Sequence, residues 1–279
     1  MSVAPPGKSL PPPERPELPR GVISSGAMPI ATWGPLVGWL GGFGIFVVAS
    51  ILASVPVAFS GDIQDPPPGF TFMGLVVQDF VLIAGVWLVV KSTNPFPNLQ
   101  EVLGMRVPPV LKAIGWLVLI YLGYIVISGI WSTIISVPEE DLLQEVGADE
   151  SLLASIAIAA VVCVGAPLAE ETLFRGFIFG GLRRWHGFWP AAIISGTMFG
   201  AAHVFGSPVE FILPLAVLGF GLALLYELTK SLFPCIYLHC LNNCLAFSVG
   251  LSLGWETALV FVGSLSAVTL ALFATRRLA

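Results

Sequence analysis

The stretch Glu170-Glu171-Thr172-Leu173-Phe174-Arg175 lies inside an otherwise apolar run that extends from Leu152 to Leu182. A helix needs about 20 such residues to cross a bilayer, so this run is long enough to span one. Charged groups at membrane depth are costly unless they are paired or take part in chemistry. The stretch therefore predicts a membrane helix that carries an ion cluster into the protein interior.

Two more polar clusters lie in apolar runs. Phe199-Gly200-Ala201-Ala202-His203 is in one of them, and His239-Cys240-Leu241-Asn242-Asn243 is in another. Together the three clusters supply carboxylates, two imidazoles and an amide. We interpret this combination as an active site built between transmembrane helices.

The composition supports a membrane protein. Hydrophobic residues make up 56% of the chain and charged residues only 10%, and the mean hydropathy is +0.91. A soluble domain carries about 25% charged residues. The net charge of -5 and the lack of a basic stripe argue against a nucleic-acid partner.

The apolar runs predict an all-α, polytopic membrane protein of about eight transmembrane helices with an intramembrane active-site cavity. The fourth run is longer than a bilayer requires, and the fifth is short. The predicted spans are Leu36–Phe59, Phe72–Val90, Ala113–Val137, Leu152–Leu182, Trp189–Phe205, Phe211–Leu228, Phe233–Gly250 and Trp255–Ala274.

With eight spans, all 12 Lys and Arg residues fall in the tails and loops of one side. The loops of the other side carry only acidic charges. The positive-inside rule then places both termini in the cytoplasm of a multi-pass cell-membrane protein. Residues 1–31, which hold eight of the 23 prolines, are expected to form a disordered cytoplasmic tail. The transmembrane domain is predicted over 32–279, with the polar motifs in 152–248.

The first cluster predicts a specific pairing. Residues four apart share a helix face, so Glu171 and Arg175 are expected to form an ion pair. Glu170 lies about 100° around the helix axis and is left free to act as a general base. The alternative is that Glu170, Glu171 and Arg175 form a structural ion network that lines a cavity.

The other two clusters repeat the four-residue spacing. Phe199 is expected to cover one side of the His203 imidazole. His239 and Asn243 are expected to present two hydrogen-bond donors to one point, as an oxyanion requires. Alone, each of these residues also suits helix–helix contacts.

These three motifs, Glu170-Glu171-x-x-x-Arg175, Phe199-x-x-x-His203 and His239-x-x-x-Asn243, resemble those of the CAAX prenyl protease and bacteriocin-processing (CPBP, or Abi) family. The resemblance covers roughly residues 152–248. It implies a glutamate-type intramembrane endopeptidase in which Glu170 and His203 activate water and His239 and Asn243 stabilise the oxyanion. The predicted substrate is a peptide or membrane protein cleaved near the cytoplasmic face, and the resemblance does not extend to prenylated substrates.

The nearest competing mechanism is a zinc peptidase, because a glutamate with His203 and His239 would make a His₂Glu site. The chain has no HExxH motif, so we expect no metal and no cofactor. Asp79 has no second intramembrane aspartate to form a dyad, and we interpret it as a helix-packing or cavity group. The four cysteines are expected to be buried apolar residues.

Two alternatives from other functional classes stay open. The fold could serve as a non-catalytic scaffold or bacteriocin-immunity protein, or buried glutamate and histidine could form a transporter's proton relay.

The spacing also predicts depth. Glu170 and His203 lie at similar distances from a turn near Gly187, so they are expected to be level with each other. For both to meet His239, the tip of that helical hairpin must project about 15 Å into the cytoplasm.

Overall fold

The computed structural model describes residues 28–29, 31–94, 98–136, 138, 142–204 and 206–277. Within these ranges the chain is helical and contains no strand. Most of the predicted tail lies outside them. Ala31 is described: it is buried, and its carbonyl accepts a hydrogen bond from Arg184, so the folded part begins by that residue.

Within the described ranges, one helix corresponds to each of the eight predicted spans. Their ranges, in chain order, are α1 Val37–Ala58, α2 Pro68–Thr93, α3 Val110–Ile134, α4 Leu152–His186, α5 Phe188–Ala202, α6 Val209–Thr229, α7 Phe233–Gly250 and α8 Glu256–Arg277. Six are long and apolar enough to cross a membrane. The prediction of a polytopic all-α membrane protein is confirmed. The number of eight transmembrane spans stays a prediction, because α5 has only 15 residues and α7 is not among the six.

The helix ends follow local rules. The Ser151 hydroxyl caps α4 by accepting from the Ala154 N–H at 3.1 Å. Gly187 separates α4 from α5 with a φ of +78°, a backbone conformation that glycine adopts without strain. The turn therefore lies near Gly187, as the sequence predicted. Helix α5 ends at Ala202, before the predicted boundary at Phe205.

Helix α4 is not a uniform α-helix. Wider π-type turns occupy Val161–Gly165 and Thr172–Phe179, and they flank the regular segment Ala166–Glu171. Pro167 lacks the N–H that a regular helix would use, which explains a departure from regularity beside it. Such turns re-aim side chains and are frequent at functional sites.

The polar centre lies where α4, α5, α6 and α7 meet. Arg175 is among the largest fully buried side chains, together with Phe174, Phe177 and Phe199. By contrast, α1, α3 and α8 expose many large apolar side chains, which suits a lipid surface. Arg175 is thus an interior residue. The prediction that all 12 Lys and Arg residues lie in the tails and loops of one side is therefore wrong for Arg175.

Candidate active site

A cavity of about 930 Å³ lies between the helices and has one residue of each of the three motifs in its wall. Glu170 of α4, His203 at the end of α5 and Asn243 of α7 line it. The wall also includes Asp79 and Gln78 of α2 and Phe174 of α4. Glu171, Arg175 and His239 are not part of the described lining and lie behind it. The six predicted site residues therefore form two layers.

In the cavity layer, Glu170 faces His203. The distance between Glu170 Oε2 and His203 Nε2 is 3.9 Å, which confirms that the two residues are level. Their side chains are 18% and 27% exposed. Among the described residues, Glu170 Oε2 has no hydrogen-bond partner.

The His203 tautomer follows from its second contact. His203 Nδ1 lies 2.8 Å from the Phe199 carbonyl oxygen, which can only accept. Nδ1 must therefore carry a proton. In the neutral ring, Nε2 is then an acceptor directed at the Glu170 carboxyl group.

In the buried layer, Glu171 is the central group. Its Oε1 accepts from Arg175 Nη1 at 2.7 Å, and the side chains of both residues are 0% exposed, so the predicted ion pair is present. The same oxygen lies 2.9 Å from His239 Nδ1. Arg175 Nη2 also donates to the Gly219 carbonyl at 3.0 Å, which ties α4 to α6.

Phe199 lies between the two layers. Its ring centre is 5.0 Å from that of His203 and 5.5 Å from that of His239. The Arg175 guanidinium carbon lies 4.4 Å from the same ring, within cation–π range. The prediction that Phe199 covers the His203 imidazole is confirmed, and the ring also packs against the buried charges.

The predicted donor pair is arranged differently from the expectation. His239 Nδ1 is directed at Glu171 instead of at the cavity, and Asn243 Nδ2 donates to the Val162 carbonyl at 2.9 Å. The amide retains one N–H on the cavity wall. Helix spacing along α7 cannot show these contacts, because both partners belong to α4.

The structure does not assemble the zinc site that the sequence left open. His239 is paired with Glu171 and His203 with Glu170. Among the described residues, no group of three His, Cys, Asp or Glu side chains is arranged to hold a metal ion. All four cysteines are buried and unbridged, as expected.

The cavity extends to loops at one end of the helix bundle. Its lining includes Pro138, Gln144, Ser207 and Ser252, from the loops that follow α3, α5 and α7. These loops belong to the acidic side of the molecule. The expectation of cleavage near the cytoplasmic face stays a prediction.

The comparisons with known proteins agree with the motifs. Residues 152–245 match the family described as type II CAAX prenyl endopeptidase Rce1-like. We call this matched stretch the CAAX endopeptidase segment. A Bacillus subtilis protein described as "Putative membrane peptidase YdiL" is 34% identical over 83 residues. That match covers 30% of this chain and 33% of the relative, so the likeness spans about a third of each protein. No solved structure matches the chain.

The CAAX endopeptidase segment contains α4 to α7 as far as residue 245, and hence all six predicted site residues. Asp79 comes from α2, outside it. A Cβ atom at Gly165 would lie 2.7 Å from Asp79 Oδ2, so the Asp79 carboxyl group packs directly against α4 at this glycine. The sequence analysis did not place Asp79 among the candidate site residues. Its carboxyl group at membrane depth was the feature that could have identified it.

Proposed function

We propose that this protein is an intramembrane peptidase in which Glu170 and His203 jointly activate a water molecule. The observation that carries the proposal is the facing pair of Glu170 Oε2 and His203 Nε2, 3.9 Å apart on the wall of an internal cavity. The separation is too long for a direct hydrogen bond. It suits a water oxygen at about 2.8 Å from each atom.

The tautomer of His203 defines how that water is held. With Nδ1–H on the Phe199 carbonyl, Nε2 accepts, and an ionised Glu170 also accepts. The water donates one proton to each, which leaves an oxygen lone pair for attack on a carbonyl carbon. Glu170 takes the water proton as the C–O bond forms, and then transfers it to the leaving nitrogen as the C–N bond breaks.

The oxyanion is stabilised by Asn243 on the cavity wall and by His239 behind it. Asn243 donates its remaining N–H from the cavity surface. His239 supports this arrangement through Glu171, whose Oε1 lies 2.9 Å from His239 Nδ1. Phe174 and the apolar lining exclude bulk water, which strengthens these interactions.

Replacing Glu170 by glutamine tests the proposal. Glu170→Gln removes the base, keeps nearly the same shape and should abolish cleavage without unfolding the protein. Glu145→Gln is the matched control, because Glu145 is exposed and outside the cavity lining. Membrane peptidomics of cells that produce wild type or either variant should show products that are lost only with Glu170→Gln. Identical peptide profiles in all three would contradict the peptidase and favour a scaffold or a transporter.

A further inference from the structure

We propose that Asp79 is a specificity-determining residue, and that it selects substrates with a lysine or arginine close to the scissile bond. Asp79 lies on α2 and lines the cavity together with Glu170, but the proposed reaction gives it no role. It also lies outside the CAAX endopeptidase segment, so the matched motifs do not assign it one. The inference about substrates rests on the proposed peptidase function, whereas the charge of the cavity is a property of the fold.

The Asp79 carboxyl group has a defined position in the cavity. A Cβ atom added at Gly165 of α4 would lie 2.7 Å from Asp79 Oδ2, so the carboxyl group is seated against the α4 backbone. Gly165 precedes Glu170 by five residues, which corresponds to about 7.5 Å along a helix. The two carboxyl groups therefore lie in the same part of the cavity, within electrostatic range of each other.

No cation of the fold balances this second carboxyl group. Among the described residues that line the cavity, there is no Lys or Arg. Arg175 is bound to Glu171 and to the Gly219 carbonyl behind the cavity wall. The charged group that acts on Asp79 is Glu170, which has the same sign of charge. An ionised Asp79 is therefore without a counter-charge in the empty cavity.

A substrate cation supplies the missing counter-charge. Glu170 works as a base only while it is ionised, and a second carboxylate near it opposes that state, because like charges repel in a low-dielectric cavity. An ammonium or guanidinium group of the substrate at Asp79 cancels this repulsion and leaves Glu170 free to hold the water molecule. In the empty cavity a proton on Asp79 takes the place of the cation. Cation binding releases that proton, which keeps the charge of the cavity balanced.

The separation along α4 also limits where the cation lies in the substrate. An extended peptide rises about 3.3 Å per residue, so 7.5 Å corresponds to roughly two residues. The long side chain of a lysine or arginine extends this reach. The expected substrates therefore carry a basic residue within about three positions of the bond that is cut.

Thiol labelling tests the charge of the cavity without requiring any cleavage. Ala246 lines the cavity on α7, and the native cysteines are buried, so wild-type protein gives the background. The detergent-purified Ala246→Cys variant is modified by a cationic (trimethylammonium) and by an anionic (sulfonate) methanethiosulfonate at mildly alkaline pH. Adding Asp79→Asn should lower the ratio of the cationic to the anionic rate by about tenfold. Adding Asp149→Asn, which changes an exposed aspartate outside the lining, should leave the ratio unchanged.

An unchanged rate ratio in the Asp79→Asn variant would overturn the proposal. It would mean that Asp79 keeps its proton and does not attract a cation. Asp79→Ala replaces Asp79→Asn if that variant does not fold. Gln144→Cys, also in the lining, replaces Ala246→Cys in the same way.

Cleavage measurements test the specificity itself. The cuts found by membrane peptidomics of wild-type cells should be enriched in nearby Lys and Arg residues. A quenched fluorogenic peptide built on one such cut should have a kcat/KM about tenfold higher with lysine than with norleucine at that position. Asp79→Asn should remove this preference and still cleave the norleucine peptide.

The two hypotheses fail in different ways. Equal cleavage of the lysine and norleucine peptides by wild type would overturn the specificity and leave the peptidase in place. A change in the labelling ratio combined with no cleavage product would remove the proposed function and leave a cation-attracting cavity.

Discussion

A single carboxylate, Glu171, holds together three helices at the centre of the protein. It accepts from Arg175 on its own helix and from His239 on α7, while Arg175 reaches the Gly219 carbonyl on α6. All these groups are removed from solvent. A buried charge is costly without a partner. Removing only one member of the Glu171–Arg175 pair should therefore destabilise the fold more than removing both.

Glu171→Gln is expected to destabilise the fold strongly. It leaves the Arg175 guanidinium buried without a counter-charge, which costs about 3–5 kcal/mol in comparable buried pairs. The thermal unfolding midpoint of detergent-purified protein should fall well below that of wild type. Glu227→Gln, which breaks a partly exposed pair with Arg183, should lower it less.

The double variant Glu171→Gln/Arg175→Met supplies a further check, because it removes both charges together. It should recover part of the lost stability. A single Glu171→Gln variant as stable as wild type would show that the pair carries no structural role.

Asn243 is expected to act on the rate instead of on stability or substrate binding. Removing one oxyanion donor lowers kcat by about 10²–10³. Asn243→Ala should show this fall with little change in KM, because the bond strengthens mainly in the transition state. Asn242→Ala is the neighbouring control on the same wall. A rise in KM at constant kcat would make Asn243 a substrate-binding residue. Wild-type kinetics would mean that Asn243 serves only to connect α7 to α4 through its hydrogen bond to the Val162 carbonyl.

At the scale of the helices, α5 is positioned by glycine. Cβ atoms added at Gly196 and Gly200 would lie 2.8 Å from the Phe220 nitrogen and 2.6 Å from the Ile212 oxygen, both backbone atoms of α6. A Cβ at Gly219 of α6 would lie 2.9 Å from the Gly196 Cα. This close approach is typical of small-residue packing between membrane helices. It fixes the end of α5, where His203 lies.

Gly200→Ala should therefore weaken both packing and activity. The added methyl cannot fit without moving α5 away from α6, and forced overpacking costs about 1–3 kcal/mol. Unfolding and cleavage assays should both report a loss, since His203 follows three residues later. Gly123→Ala on α3, where nothing lies within 4 Å, is the matched control and should leave both unchanged. Equal behaviour of the two variants would mean that α5 is free to shift.

At the scale of the whole molecule, the distribution of charge predicts its orientation. Reporter fusions at both termini should give the cytoplasmic signal, with fluorescent GFP and inactive alkaline phosphatase. A fusion truncated after the α5–α6 loop should give the reverse signal. An active phosphatase at the C-terminus would mean an odd number of spans, and α5 or α7 would then be the helix that does not cross.

Local spacing accounts for much of the fold and of the site. The apolar runs predicted the positions of eight helices, because in a bilayer every backbone group must be satisfied within its own helix. The four-residue period predicted the Glu171–Arg175 pair and the cover of His203 by Phe199. The position of the turn at Gly187 predicted that Glu170 and His203 lie at the same depth. Each of these results depends only on helix geometry within one segment or one hairpin.

Only the tertiary structure determines which side chains of different helices contact each other. His239 of α7 pairs with Glu171 of α4, and Asp79 reaches the cavity from outside the CAAX endopeptidase segment. It also brought residues of the loops that follow α3, α5 and α7 into the cavity wall. In lipid, apolar faces carry almost no preference for one neighbour over another. Helix rotation and partner choice are therefore set by close glycine contacts and buried polar pairs, whose partners lie far apart in the sequence.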